Sequence, residues 1–105
     1  MADSFIYIVA RLKPAEGKTD ELVQGLSELA SEVEKNESGC VSYQFFVNEA
    51  DGEIAIFEIY KDQEAVDAHK NSSHFKEAMK VGMEGKLAAP PNIQVIHKKG
   101  GFRRG

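Results

Sequence analysis

The sequence predicts one α+β domain in the order strand, helix, strand, strand, helix, strand, and three observations carry that expectation. Apolar residues alternate with period two over residues 5–13, 40–48, 53–60 and 92–97, whereas they recur at helical spacing over residues 20–36 and again after residue 62. Turn-forming residues fall at the joins: Pro14 with Gly17, Asn36 to Gly39, Ala50-Asp51-Gly52, and Gly85 to Pro91. At 105 residues the chain suits a single domain, large enough to bury roughly two thirds of its unfolded surface without staples. Residues 1–98 form that domain in this reading, and residues 99–105 form a flexible basic tail.

Each element has its own justification. In the first strand, Phe5, Tyr7, Val9 and Arg11 point one way and Ile6, Ile8, Ala10 and Leu12 the other. Asp20 and Glu21 put negative charge where a helix should begin. Leu22, Leu26, Leu29 and Val33 then form one apolar stripe, with Gln24, Ser27, Glu28, Ser31 and Glu32 opposite. The second strand sets Val41, Tyr43, Phe45 and Val47 against Ser42, Gln44 and Phe46, and a hairpin turn leads to the third. That strand sets Ile54, Ile56, Glu58 and Tyr60 against Ala55, Phe57 and Ile59. Asp62 is a good N-cap for a short helix that breaks near Asn71-Ser72-Ser73, where a hydroxyl caps the next helix, which carries Phe75, Ala78, Met79 and Met83.

This order is the split ferredoxin-like arrangement, with helices on one side of an antiparallel sheet. It leaves a face to account for. Phe5, Tyr7, Val9, Val41, Tyr43, Phe45, Ile54 and Ile56 assign apolar residues to a second parity, and exposing that much apolar sheet is costly. Pairing with a second copy covers it. A homodimer is therefore expected, through the face carrying Tyr7, Val9, Tyr43 and Ile56 or its opposite.

Composition excludes several function classes. The first 97 residues hold nine Lys and Arg against seventeen Asp and Glu, a balance of −8, and Lys98, Lys99, Arg103 and Arg104 supply the rest of the −4 total. An acidic body argues against a nucleic-acid face. No apolar run approaches the ~18 residues of a membrane span, and the N-terminal Met-Ala-Asp-Ser has no leader-like charge and apolar pattern. A soluble cytoplasmic protein is the expectation. The single cysteine, Cys40, suits a reducing compartment and reads as a small buried strand residue. No dinucleotide fingerprint, P-loop or nucleophile elbow occurs.

The chemistry concentrates between Phe57 and Phe75, which holds two of the three histidines. On one continuous helix His69 and His74 would lie about 140° apart. A break between them lets the first ring end one helix and the second begin another, so both can converge on one pocket. A histidine in a first helical turn also feels the positive end of the dipole, which favours the neutral, proton-accepting ring. Neither Cys nor a carboxylate lies at standard ligand spacing from them, so no metal site is expected.

The run Glu58-Ile59-Tyr60-Lys61-Asp62, then Ala65-Val66, then His69-Lys70 and His74-Phe75 resembles the antibiotic biosynthesis monooxygenase family, especially its quinol monooxygenases and its autoinducer-2 phosphate isomerases. The resemblance implies a dimeric α/β barrel and a cofactor-independent monooxygenase acting on quinol-like or other electron-rich enolisable compounds, with molecular oxygen as co-substrate. Its haem-degrading members use a strand asparagine, a helix tryptophan and a haem-ligating histidine. Ala10, His69 and Met79 occupy the corresponding neighbourhoods, and the chain has no Trp, so haem breakdown is disfavoured.

The site expected from this resemblance has His69 or His74 as base, Glu58 tuning a histidine, Tyr60 and Tyr43 orienting the substrate, and Phe75 with Met79 as pocket wall. Glu58 equally suits a salt bridge to Arg11 or Lys13, and core tyrosines with a wet tip are as common as positioning ones. Ala10 either leaves room for a ligand or accommodates a close-packed helix. Arg11, Lys13, Lys61 and Lys70 are the cations available to a phosphorylated hydroxy-ketone, the substrate of the alternative isomerase reading. A non-catalytic dimeric ligand-binding module is the third reading.

Overall fold

The computed structural model describes residues 4–105; the first three residues of the expected 1–98 domain, and most of the Met-Ala-Asp-Ser start, lie outside them. The elements are β1 (Ile6–Leu12), α1 (Thr19–Asn36), β2 (Cys40–Val47), β3 (Ile54–Tyr60), α2 (Gln63–Asn71), α3 (Ser73–Glu77) and β4 (Asn92–Ile96), with a π-helical turn over Ala78–Gly82 continuing α3. The strands form one antiparallel sheet in the order β2-β3-β1-β4. This is the ferredoxin-like arrangement expected from the element order.

The core lies where the helical stripe predicts. Leu22, Leu26, Leu29 and Val33 of α1 are all buried and pack on Ala10, Leu12, Ile54 and Ile56. Ala10 therefore accommodates the close approach of α1 and opens no ligand space. A second cluster joins Ile8 and Tyr60 to Ala65 and Val66 of α2. Asp62 caps α2 by accepting from the Ala65 N–H at 2.8 Å. The break after α2 is fixed by Ser72, whose Oγ donates to the His69 carbonyl at 2.7 Å and accepts from the Phe75 N–H at 3.2 Å.

Strand register corrects the expected dimer face. Tyr43 lies opposite Glu58 and Phe45 opposite Ile56, while Glu58 lies opposite Ile8 and Ile56 opposite Ala10. Cross-strand partners share a face, so Tyr43, Phe45, Ile54 and Ile56 all face the helices with Ile8 and Ala10. Tyr7 and Val9 lie opposite Ile59 and Phe57, on the other side. The irregularity between Cys40 and Ser42 also separates Val41 from the alternation assumed for β2. The face turned away from the helices thus carries Tyr7, Val9, Phe57 and Ile59, with Phe46, Gln44 and Ser42 from β2, and within it Val9 is already buried. Phe46 and Phe57 are 53% and 44% exposed and meet edge to face at 5.7 Å.

Candidate active site

Three chain segments meet at the end of the helical layer. His69 is in the last turn of α2, His74 in the first turn of α3, and Glu37 directly follows α1. The Glu37 side chain is 6% exposed and accepts from both rings: His69 Nδ1 lies 2.9 Å from Oε1 and 3.1 Å from Oε2, and His74 Nε2 lies 2.5 Å from Oε2. A carboxylate only accepts, so those two ring nitrogens carry the protons. Nε2 of His69 and Nδ1 of His74 are left as acceptors in the neutral rings, and among the described residues no donor reaches them. Burial lowers the pKa of His69, against the opposing pull of Glu37. Its imidazole is accordingly neutral around pH 7.

The turn after α1 explains how Glu37 gets there. A Cβ on Gly39 would stand 2.6 Å from the Ala65 Cβ, so only glycine lets this turn pass so close to α2. The Lys61 N–H donates to the Gly39 carbonyl at 2.9 Å and ties the turn to the end of β3.

An aromatic wall surrounds His69, with the Phe75, Tyr60 and Tyr43 rings at 4.7, 5.5 and 5.7 Å. Glu58 faces the same side and accepts from the Tyr60 hydroxyl at 2.6 Å. Desolvation raises its pKa to about 6; the Tyr60 hydrogen bond opposes this and the Glu37 charge adds to it. Burial and the Glu58 charge push the Tyr60 and Tyr43 phenols far up. Both tyrosines are therefore hydrogen-bond donors and not bases. Cys40, raised to about 11 by burial and by the charges of Glu37 and Glu58, is not a reactive thiol.

A cleft of about 430 Å³ runs between α1 and the segment from Ser73 to Met83 and reaches the triad at His74. Its walls combine Leu22, Leu26, Leu29, Val81 and Met83 with the carboxylates of Glu28, Glu32 and Glu77; no Lys or Arg lines it.

Of the residues expected at the site, the fold brings His69, His74, Glu58, Tyr60, Tyr43 and Phe75 together. Four expectations need correction. Arg11 is exposed on the opposite sheet face, 3.5 Å from Glu53, because the first strand alternates. Ala10 is filled over by the α1 leucines. Met79 does not line the cleft, where the π-helical turn presents Ala78 and Val81 instead, followed by Met83. Glu58 partners Tyr60 and not a histidine or a basic residue; the carboxylate on the histidines is Glu37, which sequence reading missed. One signal for it existed, since a glutamate at a helix C-terminus opposes the dipole and needs another reason to be there.

Comparison with known proteins agrees with the fold. An uncharacterized protein of Synechocystis is 30% identical over 95 residues, which cover 90% of this chain; the chain spans 63% of that relative's length. A crystal structure from Caulobacter crescentus, described as a candidate antibiotic biosynthesis monooxygenase, superposes with a TM-score of 0.83 at 28% identity, covering 93% of this chain and 92% of that one. A Mycobacterium tuberculosis protein superposes equally well, TM-score 0.83 at 25% identity, covering 95% of this chain and 100% of that one. The profile of the family described as "Antibiotic biosynthesis monooxygenase" matches residues 5–81. With a family match over residues 5–81 and the fold in agreement, the chain belongs to the antibiotic biosynthesis monooxygenase family.

Proposed function

We infer that the protein is a cofactor-independent monooxygenase of a quinol-like or similarly electron-rich, enolisable small molecule. The observation that carries this reading is the buried His69–Glu37–His74 relay, walled by Tyr43, Tyr60 and Phe75 and opening at His74 onto a largely apolar cleft. A free imidazole nitrogen takes the substrate's hydroxyl proton, and the carboxylate stabilises the imidazolium that forms. The resulting anion is the reductant. It passes electrons to molecular oxygen, one oxygen atom joins the ring carbon, and the other leaves as water, so that quinol plus oxygen gives hydroxyquinone plus water with no outside reductant. What the protein supplies is a pre-arranged base beside the substrate.

The largely apolar cleft, whose charged lining is carboxylate with no Lys or Arg, supports a neutral substrate over the phosphorylated hydroxy-ketone of the isomerase reading, which needs an anion site. We further propose a homodimer built on the helix-free sheet face, centred on the exposed Phe46 and Phe57, in a cytoplasmic setting. Among the described residues no helix is long and apolar enough to cross a membrane.

Oxygen consumption is the test. Electron-rich hydroquinones under air should consume oxygen with no added flavin, nicotinamide or metal, and chelators should not reduce the rate. Activity that requires added flavin or metal defeats this reading. Deuterium incorporation from heavy water with oxygen unchanged transfers the assignment to the isomerase, and ligand binding without turnover to a binding module.

A further inference from the structure

Glu37, His69 and His74 place one ligand atom each within 4.8 Å of one another. Their side chains are 6%, 5% and 16% exposed. Among the described residues no Lys or Arg forms an ion pair with the Glu37 carboxylate; its only partners are the two imidazoles. Two imidazoles and one carboxyl group, with room for a further ligand, are a donor set that borderline divalent cations select. We propose that this triad is a divalent-cation site, suited to Zn²⁺ or a cation of similar softness, and that the bound metal silences the proton-accepting nitrogens of both histidines.

The geometry asks for shifts on the order of 1 Å. A tetrahedral ion with bonds of about 2.0–2.1 Å holds its ligand atoms about 3.4 Å apart. The present gaps of 2.9 Å at His69 and 2.5 Å at His74 are the shorter spacings of shared protons. Exchange of protons for metal thus opens these two gaps by about 1 Å or less, while the three ligand atoms, now within 4.8 Å of one another, draw in to that common spacing. The joint between the two histidines is held by Ser72, bonded to both the His69 carbonyl and the Phe75 N–H. Both rings therefore stay turned to Glu37. The contact of His74 with the cleft leaves a side from which water or an anion completes the coordination.

Silencing follows from the tautomers. In the metal-free form Nδ1 of His69 and Nε2 of His74 carry the protons, and the outer nitrogens accept. A coordinated imidazole must offer its inner lone pair, so its proton moves to the outer nitrogen. Each ring keeps one proton, and none is released from the rings. The outer nitrogens change from acceptors into donors, so a metal and a substrate proton are mutually exclusive occupants of the triad. Cation binding stands on the geometry alone; its effect on turnover rests on the base role proposed above.

The test uses chelator-treated protein titrated with Zn²⁺ against a chromophoric chelator, and with Co²⁺ for its visible ligand-field bands. One Zn²⁺ per chain should bind, and should displace Co²⁺ and its bands. Glu37→Gln should weaken binding by at least the about 10- to 100-fold that loss of even an outer-sphere partner costs, and His69→Ala should do the same. His97→Ala, beyond β4, should change nothing. Where His69→Ala fails to fold, Glu37→Gln with a circular dichroism spectrum matching the parent decides. In the oxygen assay Zn²⁺ should inhibit and chelator should restore the rate. Absence of stoichiometric uptake, or uptake unchanged in Glu37→Gln, overturns the metal site whether or not quinols are oxidised. Uptake by a protein inert toward quinols leaves the site standing and removes the oxygenase reading instead.

Discussion

Gly39→Ala should both destabilise the protein and slow it, although it adds only a methyl group. Gly39 is not in the left-handed region of backbone space. On conformational grounds alone alanine would therefore stabilise by about 0.4–1 kcal/mol, by restricting the unfolded chain. Packing opposes this. The new Cβ would stand 2.6 Å from the Ala65 Cβ, roughly 1 Å inside a comfortable carbon–carbon contact. Neither group is a flexible tip that can swing away, so α2 or the turn must shift. Overpacking of this kind costs about 1–3 kcal/mol. The net loss is about 0–2.6 kcal/mol from those two ranges, with the upper part favoured because the contact is backbone-borne on both sides. Each kcal/mol lowers the melting temperature of a domain this size by roughly 4–8 °C.

The same displacement reaches the triad. Moving α2 by roughly 1 Å stretches the 2.9 Å His69–Glu37 contact beyond hydrogen-bonding range. A misplacement of that size costs about 100-fold in rate. Thermal unfolding followed by circular dichroism, together with oxygen uptake on the best hydroquinone, reads both effects. A melting temperature equal to or above the parent's, with full turnover, refutes the close-approach account of how Glu37 is positioned.

Three further outcomes are expected. Glu58, raised from 4.5 to about 6, binds its proton more tightly folded than unfolded; it adds stability below pH 4.5 that is lost as pH rises through about 6. Glu58→Gln keeps an acceptor for Tyr60 and should abolish that loss, gaining on the order of 2 kcal/mol above pH 6, seen in urea midpoints from pH 4 to 8. His69 has the opposite sign: its lowered pKa means stability present above 6.5 and lost as pH falls through its folded value, so the difference between parent and Glu58→Gln isolates the carboxylate. An unchanged pH profile refutes its burial as the cause. His69→Ala and His74→Ala should each cut turnover by ~100-fold or more, with the parent rate rising through a pKa below the ordinary imidazole value of 6.5; folded variants with full activity remove the histidines from the mechanism. Phe57→Asp should give monomers by light scattering while the chain stays folded, whereas Ile56→Asp, which buries charge in the core, should unfold it; a Phe57→Asp dimer places the interface elsewhere.

The sequence by itself determined the element order, the α1 stripe of Leu22, Leu26, Leu29 and Val33, the Asp62 cap and the Ser72 break that turns His69 and His74 toward one place. These are local matters: periodicity, capping and turn chemistry act over a few residues, so they are legible along the chain. Period two also shows that each strand has two faces. It does not say how neighbouring strands are aligned, and only the register puts Tyr43 and Ile56 on the opposite side of the sheet from Tyr7 and Val9. Glu37 was out of reach for the same reason. It meets His69 across 32 residues, through a contact that depends on Gly39 passing α2. The tertiary structure alone decided which carboxylate serves the histidines, that Glu58 serves Tyr60, that Arg11 lies across the sheet, and that the cleft has no cation. Each is a long-range juxtaposition, set by how whole elements pack and not by what any one segment prefers.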